Sequence, residues 1–170
     1  MSALRLILTR HAKSSWDEVG LSDHDRPLSG RGKRACVALG DWMASRGLLP
    51  EQVLCSDARR TRETWARIGP RLGEDAPAAL LLSGLYLASA EEMLTTLRRA
   101  EGPVVMQIGH NPGIAEFAAR LLARPCPDPD FARYPTGATS VIGFEADAWS
   151  DVEWGSGGLI EFIVPRRLEV

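Results

Sequence analysis

Pro103-Val104-Val105-Met106-Gln107-Ile108-Gly109-His110-Asn111-Pro112 carries the clearest structural signal in the chain. It begins with a short apolar run, of a length that suits a buried strand and is too brief for a helix. Asn111-Pro112 then reads as a helix opening, with asparagine as cap and proline in the first turn. Behind it Ile114, Phe117, Leu121 and Leu122 recur at helical spacing and make one apolar face. A buried strand passing directly into an amphipathic helix is the repeating unit of a parallel sheet.

Similar units recur on the N-terminal side. Residues 4–8 form a buried strand, followed by a polar loop in which Pro27 and Leu28 lead into a helix. That helix shows Ala35, Leu39, Trp42 and Met43 on one face and ends at Gly47, which supplies its C-terminal cap. Residues 52–55 read as a second strand, with Ser56 capping a helix whose core face is Trp65, Ile68 and Leu72. Residues 79–82 form a third strand. Ser89-Ala90-Glu91-Glu92 is a capping box for a helix burying Met93, Leu94 and Leu97. On the C-terminal side, residues 138–144 and 159–164 read as two strands around a glycine-rich turn, close enough in sequence to pair antiparallel at an edge. The expected fold is a three-layer α/β/α domain spanning residues 1–170, with a mainly parallel mixed sheet of about six strands.

Composition sets limits on function. The chain of 170 residues is long enough for one real core, and 45% apolar with 25% charged residues is ordinary for a globular protein. A formal net charge of −2 gives no global attraction to nucleic acid or to a membrane surface. Cys36, Cys55 and Cys126 are odd in number and widely spaced, which fits neither a disulfide framework nor a zinc site and favours a reducing compartment. The opening apolar run is short and interrupted by Arg5, unlike a signal-peptide core, and no run is long enough for a membrane helix. A cytoplasmic location is therefore expected.

In open parallel sheets, ligands bind beyond the carboxyl ends of the strands. The first strand is followed by Thr9-Arg10-His11, the second by Ser56-Asp57-Ala58-Arg59-Arg60, and the fourth by Gly109-His110-Asn111. Two of the three histidines in the chain, and at least two arginines, thus gather at one sheet edge. Arginine forks match phosphate oxygens. A helix N-terminus beside them favours the same anion. One neutral imidazole can attack phosphorus, and a second, if protonated, can steady the transition-state charge. Taken singly, each residue has a plain alternative: a histidine after a strand is often a loop residue, and Arg59, Arg60, Arg62 and Arg67 also fit a solvated helix face. His24, between Asp23 and Asp25, reads as an exposed loop residue. The proline-rich stretch 124–129 reads as a surface loop, and Trp149 and Trp154 as packing residues.

These motifs resemble those of the histidine phosphatase superfamily, also called phosphoglycerate mutase-like, and within it the short SixA-like phosphohistidine phosphatases. Arg10-His11-Ala12-Lys13-Ser14-Ser15-Trp16-Asp17 is similar to that superfamily's Arg-His-Gly-Glu-Ser-x-Trp-Asn signature. Asp25-Arg26-Pro27-Leu28-Ser29-x-x-Gly32 resembles the element opening its first helix, Ser56-x-x-x-Arg60-x-x-x-Thr64 its Ser/Arg/Thr motif, and Gly109-His110-Asn111 its second-histidine motif. All four run in the family's order. The resemblance implies a hydrolase in which His11 is the phosphorylated nucleophile and Arg10, Arg60 and His110 form the phosphate pocket. Arg26, Ser14, Asp17 and Asn111 are further implied substrate contacts, and no metal or organic cofactor is implied.

The departures narrow the substrate. Ala12 replaces glycine, Lys13 replaces glutamate and adds positive charge, and Asp17 stands where asparagine is common. Larger superfamily members carry an acidic residue after the third strand as general acid, whereas Leu82-Ser83-Gly84-Leu85-Tyr86 has no carboxylate. An alkoxide leaving group, with a conjugate acid of pKa about 15 by analogy with water, needs a proton donor. An imidazole, with pKa about 6.5, needs far less help. Phosphohistidine or a related phosphoramidate is the expected substrate, with Asp17 the alternative acid. The absence of a long insertion able to fold over a small molecule points to a phosphorylated protein side chain. The competing expectations are a small-molecule phosphomonoesterase with the same apparatus and, from another class, a non-catalytic phosphate- or phosphoprotein-binding module.

Overall fold

A computed structural model describes residues 3–168; the ends of the expected 1–170 domain lie outside the described residues. Six strands form one sheet: β1 (Ala3–Arg10), β2 (Gln52–Ser56), β3 (Ala79–Leu82), β4 (Val104–Gly109), β5 (Thr139–Glu145) and β6 (Gly158–Ile163), in the spatial order β3-β2-β4-β1-β5-β6. The pairs β1–β4, β2–β4 and β2–β3 are parallel, while β5 is antiparallel to both β1 and β6. The sheet is mixed and mostly parallel, as the alternation of strands and helices predicts.

Strand alternation divides the core into two layers. Leu4, Leu6, Leu8, Leu54, Val105 and Ile142 face one side, with helices α3 (Ala90–Leu97) and α4 (Gly113–Leu121). Ile7, Val53, Cys55, Met106, Ile108 and Val141 face the other, under α1 (Gly30–Ser45) and α2 (Arg59–Ile68). A short helix, α5 (Pro129–Arg133), was not legible in the sequence; Asp128 caps it and Pro129 opens it. No helix among the described residues is long and apolar enough to cross a membrane.

The α3 capping box forms as expected, with Ser89 and Glu92 bonding reciprocally. Two other expected caps are corrected. Ser56 does not cap α2, which starts at Arg59; its hydroxyl accepts from the Ala58 N–H and meets His110. Asn111 does not cap α4, which starts at Gly113; its side-chain amide instead donates to the carbonyls of Arg133 and Tyr134. In both cases a tertiary partner outbids the local helix end. The proline-rich loop lines a hollow separate from the histidines. Trp149 is buried and donates to the Gly102 carbonyl, a packing role.

Candidate active site

Register brings the two histidines together. β1 and β4 are parallel neighbours with Arg10 opposite Gly109, so the next residues, His11 and His110, leave the sheet side by side. Their ring centroids are 5.4 Å apart. Both are buried, at 5% and 2% exposure, on the floor of a cleft of about 400 Å³. Arg10, Ser14, Arg26, Arg60 and Asn111 line the same cleft. Asp17 does not line it and is exposed, since the loop runs outward after Trp16.

The hydrogen bonds assign the tautomers. His11 Nδ1 lies 2.7 Å from the Ala12 carbonyl, which can only accept, so Nδ1 carries the proton and Nε2 keeps its lone pair. His110 Nδ1 faces Arg60 Nη2 at 3.3 Å, and a guanidinium can only donate. His110 therefore donates from Nε2 to Ser56 Oγ, at 2.7 Å. Burial pushes the pKa of His11 down to about 3; the Ala12 hydrogen bond opposes this, while His110, Arg10 and Arg60 add to it. Burial followed by the charge of Arg60 pushes His110 down to about 3, with Asp23 opposing. Both rings are thus neutral at neutral pH.

The Ser56/Arg60/Thr64 motif acts as a frame. Ser56 holds His110, Arg60 enters the cleft from the first turn of α2, and Thr64 Oγ1 accepts the Ala12 N–H at 3.1 Å. Arg60 and Thr64 share a helix face because they are four residues apart. Gly32 lets α1 approach the loop after His11: a Cβ there would lie 2.1 Å from the Lys13 carbonyl oxygen. Tyr134, with φ 49°, presents a carbonyl to which both Arg10 and Asn111 donate. Arg10 Nε and Arg60 Nε are buried without an acceptor among the described residues.

Sequence reasoning missed Asp23 and Tyr86. The Asp23 carboxylate accepts from Arg60 at 3.0 Å, from Arg26 at 3.1 Å and from the Tyr86 hydroxyl at 2.5 Å. Burial alone would raise its pKa, but Tyr86, Arg60 and Arg26 together hold it well below the usual carboxylate range. Arg26 also donates to Ser14 Oγ at 2.7 Å and lies 3.5 Å above the Trp16 ring. The aspartate doublet around His24 was visible in the sequence, yet nothing local distinguishes Asp23, which turns inward, from Asp25. His24 is not a free loop residue either: its Nε2 is 2.9 Å from Asp57 Oδ1 and its ring packs edge-on to Tyr86. No group of three or more His, Cys, Asp or Glu among the described residues is placed to hold a metal ion.

A phosphoglycerate mutase-like sheet that sets two neutral imidazoles among arginines at its carboxyl edge defines a class of phosphate-site α/β proteins. The chain belongs to that class's histidine phosphatase superfamily, branch 1, whose family model matches residues 6–81. An uncharacterized protein of Mycobacterium tuberculosis is 35% identical over 164 residues, covering 92% of this chain and 99% of that one. A candidate phosphohistidine phosphatase SixA from Nakamurella multipartitia is similar in structure, with TM-score 0.80, 29% identity, and coverage of 97% of this chain and 98% of its own. A protein histidine phosphatase SixA complexed with tungstate shares the fold at TM-score 0.75 and 20% identity, over 97% of this chain and 99% of that one.

Proposed function

We propose that this protein is a phosphatase that takes a phosphoryl group onto His11 Nε2 and that its substrate is phosphohistidine or a related phosphoramidate. The observation carrying this reading is the protonation pattern of the cleft. A neutral imidazole with a free Nε2 lone pair lies among arginines, while the carboxylate lining the cleft, Asp23, is held ionised by two guanidinium groups. Such a site has a nucleophile and charge stabilisation but no carboxylic acid ready to protonate an alkoxide. The likeness to proteins described as phosphohistidine phosphatases, one of them with a bound oxyanion, supports the same reading.

The steps balance. The Nε2 lone pair of His11 attacks phosphorus, the P–N bond to the substrate imidazole breaks, and its electron pair stays on the departing nitrogen. Nδ1–H remains bonded to the Ala12 carbonyl, which steadies the positive charge the ring acquires. Arg10, Arg60 and Arg26 bind the phosphoryl oxygens, and His110, held by Ser56, accepts from Arg60 and so keeps that guanidinium beside them. Water then attacks the phosphohistidine, the P–Nε2 bond breaks with its pair returning to His11, and the proton from water leaves on phosphate.

Brief incubation of the protein with a phosphohistidine protein should leave an acid-labile, base-stable phosphoryl group that is absent from His11→Ala. Phosphohistidine should be turned over far faster than aryl or alkyl phosphates. Preference for serine-type or sugar phosphates would move the reading to a phosphomonoesterase, and bound phosphate with no adduct would move it to a binding module.

A further inference from the structure

Next to the catalytic cleft runs a second groove of about 210 Å³, and Lys13 and Thr136 line both. Its cations are Lys13, Arg31 and Arg166, and no acidic residue lines it. For a chain of net charge −2, this is a local concentration of one sign. Among the described residues neither Lys13 nor Arg31 makes an ion pair, and both are exposed. Arg166 shares the buried carboxylate of Asp130 with Arg133 and Arg167, so three guanidinium groups meet there with Asp130 and Asp128, leaving an excess of one positive charge.

The backbone of the groove is held by hydrogen bonds and close packing. The Lys13 carbonyl accepts both the N–H and the hydroxyl of Ser29, and Gly32 closes against the same oxygen, which locks Lys13 beside the first turn of α1 that carries Arg31. The opposite wall is Pro135, Val164 and Pro165, with Pro165 seated on Gly137, where a Cβ would meet it at 2.5 Å. An apolar wall of prolines and valine facing a row of cations suits an extended chain bearing carboxylates.

Resting on the phosphohistidine reading above, we propose that this groove binds an acidic polypeptide segment flanking the phosphorylated side chain of the substrate. The phosphoryl group would enter the cleft at His11 while neighbouring Asp or Glu residues lie along Lys13, Arg31 and Arg166. Charge complementarity and the shared wall between cleft and groove argue for this occupant.

The test uses peptides bearing phosphohistidine, or its stable phosphonotriazolylalanine mimic, flanked by Glu, Ser or Lys. Wild type should bind the Glu-flanked mimic roughly tenfold more tightly than the Lys-flanked one at low salt, with the margin shrinking as salt screens the rim. Arg31→Glu lies outside the catalytic cleft. It should erase that margin and raise KM for the Glu-flanked phosphopeptide while leaving turnover of free phosphohistidine unchanged. Equal binding of all three mimics by wild type, or an unchanged margin in Arg31→Glu, overturns the groove assignment. Discrimination among mimics without turnover of any phosphohistidine peptide upholds the groove and overturns the phosphatase reading instead. Turnover without discrimination does the reverse.

Discussion

Asp23 grips Arg60 at two points, its backbone carbonyl accepting from Nη1 at 2.7 Å and its carboxylate from Nη2 at 3.0 Å. The same carboxylate holds Arg26, so a single loop residue sets the two guanidinium groups that flank the histidines. Asp23 therefore has two opposed effects: it orients the arginines, and it places a negative charge in the cleft proposed to receive the phosphoryl group. Asp23→Asn should lower kcat by about tenfold through lost positioning. It should also make inorganic phosphate a tighter inhibitor, because the repelling charge is gone. Parallel inhibition and steady-state assays check the split; unchanged kcat would show that Arg60 needs no such support.

Ser56→Ala tests the tautomer of His110. Without the Ser56 acceptor, His110 Nε2–H loses its partner and the ring is held only by Arg60 at Nδ1. Because Arg60 still donates to Nδ1, nitrogen-15 chemical shifts of the His110 ring should keep the Nε2–H tautomer, while the loss of the Ser56 anchor loosens the ring and lowers kcat by about tenfold. A mixed tautomer would show that Arg60 does not fix the protonation of the ring, and an unchanged kcat that Ser56 does not position it.

Gly32→Ala tests the contact between α1 and the loop that follows His11. The added methyl would meet the Lys13 carbonyl at 2.1 Å, so backbone must move. Overpacking of this kind costs about 1–3 kcal/mol, read as a lower urea midpoint. The displaced loop carries His11 and should lower kcat as well. A variant as stable and active as wild type would show that the loop gives way freely.

Acidification should weaken the protein in a defined window. Unfolded, His11 and His110 take up protons near pH 6.5; folded, they resist until about pH 3. Lowered folded pKa values mean that their stability contribution is complete above pH 6.5 and is lost progressively as pH falls toward 3. The loss should reach about 2 kcal/mol per histidine by pH 5, and so about 4 kcal/mol for the pair, measured by urea unfolding at pH 7 and pH 5. Asp23, also held low in the folded state, keeps its contribution until pH falls below the ordinary carboxylate range. His11→Gln should flatten the slope between pH 7 and 5; an unchanged slope would show that the His11 ring takes up protons freely when folded.

The strands and helices were legible because their apolar periods are local: 103–108 reads as a strand and Ile114, Phe117 and Leu121 as a helix face from spacing alone. The cap assignments at Ser56 and Asn111 failed because each side chain found a distant partner, His110 for one and the Arg133 and Tyr134 carbonyls for the other. Asp17, expected to contact substrate, lies outside the cleft, while Asp23, six residues on, lies inside it. Loop direction is set by what the loop packs against, here Trp16 over Arg26, and no periodicity encodes that.

The alternation of strands and helices, and the identity of the residues that follow strand ends, are encoded locally, since apolar spacing and turn chemistry act over a few residues. Strand order, by contrast, sets β1 beside β4 and so pairs His11 with His110, and long-range packing puts Asp23 rather than Asp17 against the arginines. Those outcomes depend on strand order and on buried partners far apart in the chain, where long-range hydrogen bonds and charge decide between conformations that local propensity leaves equal.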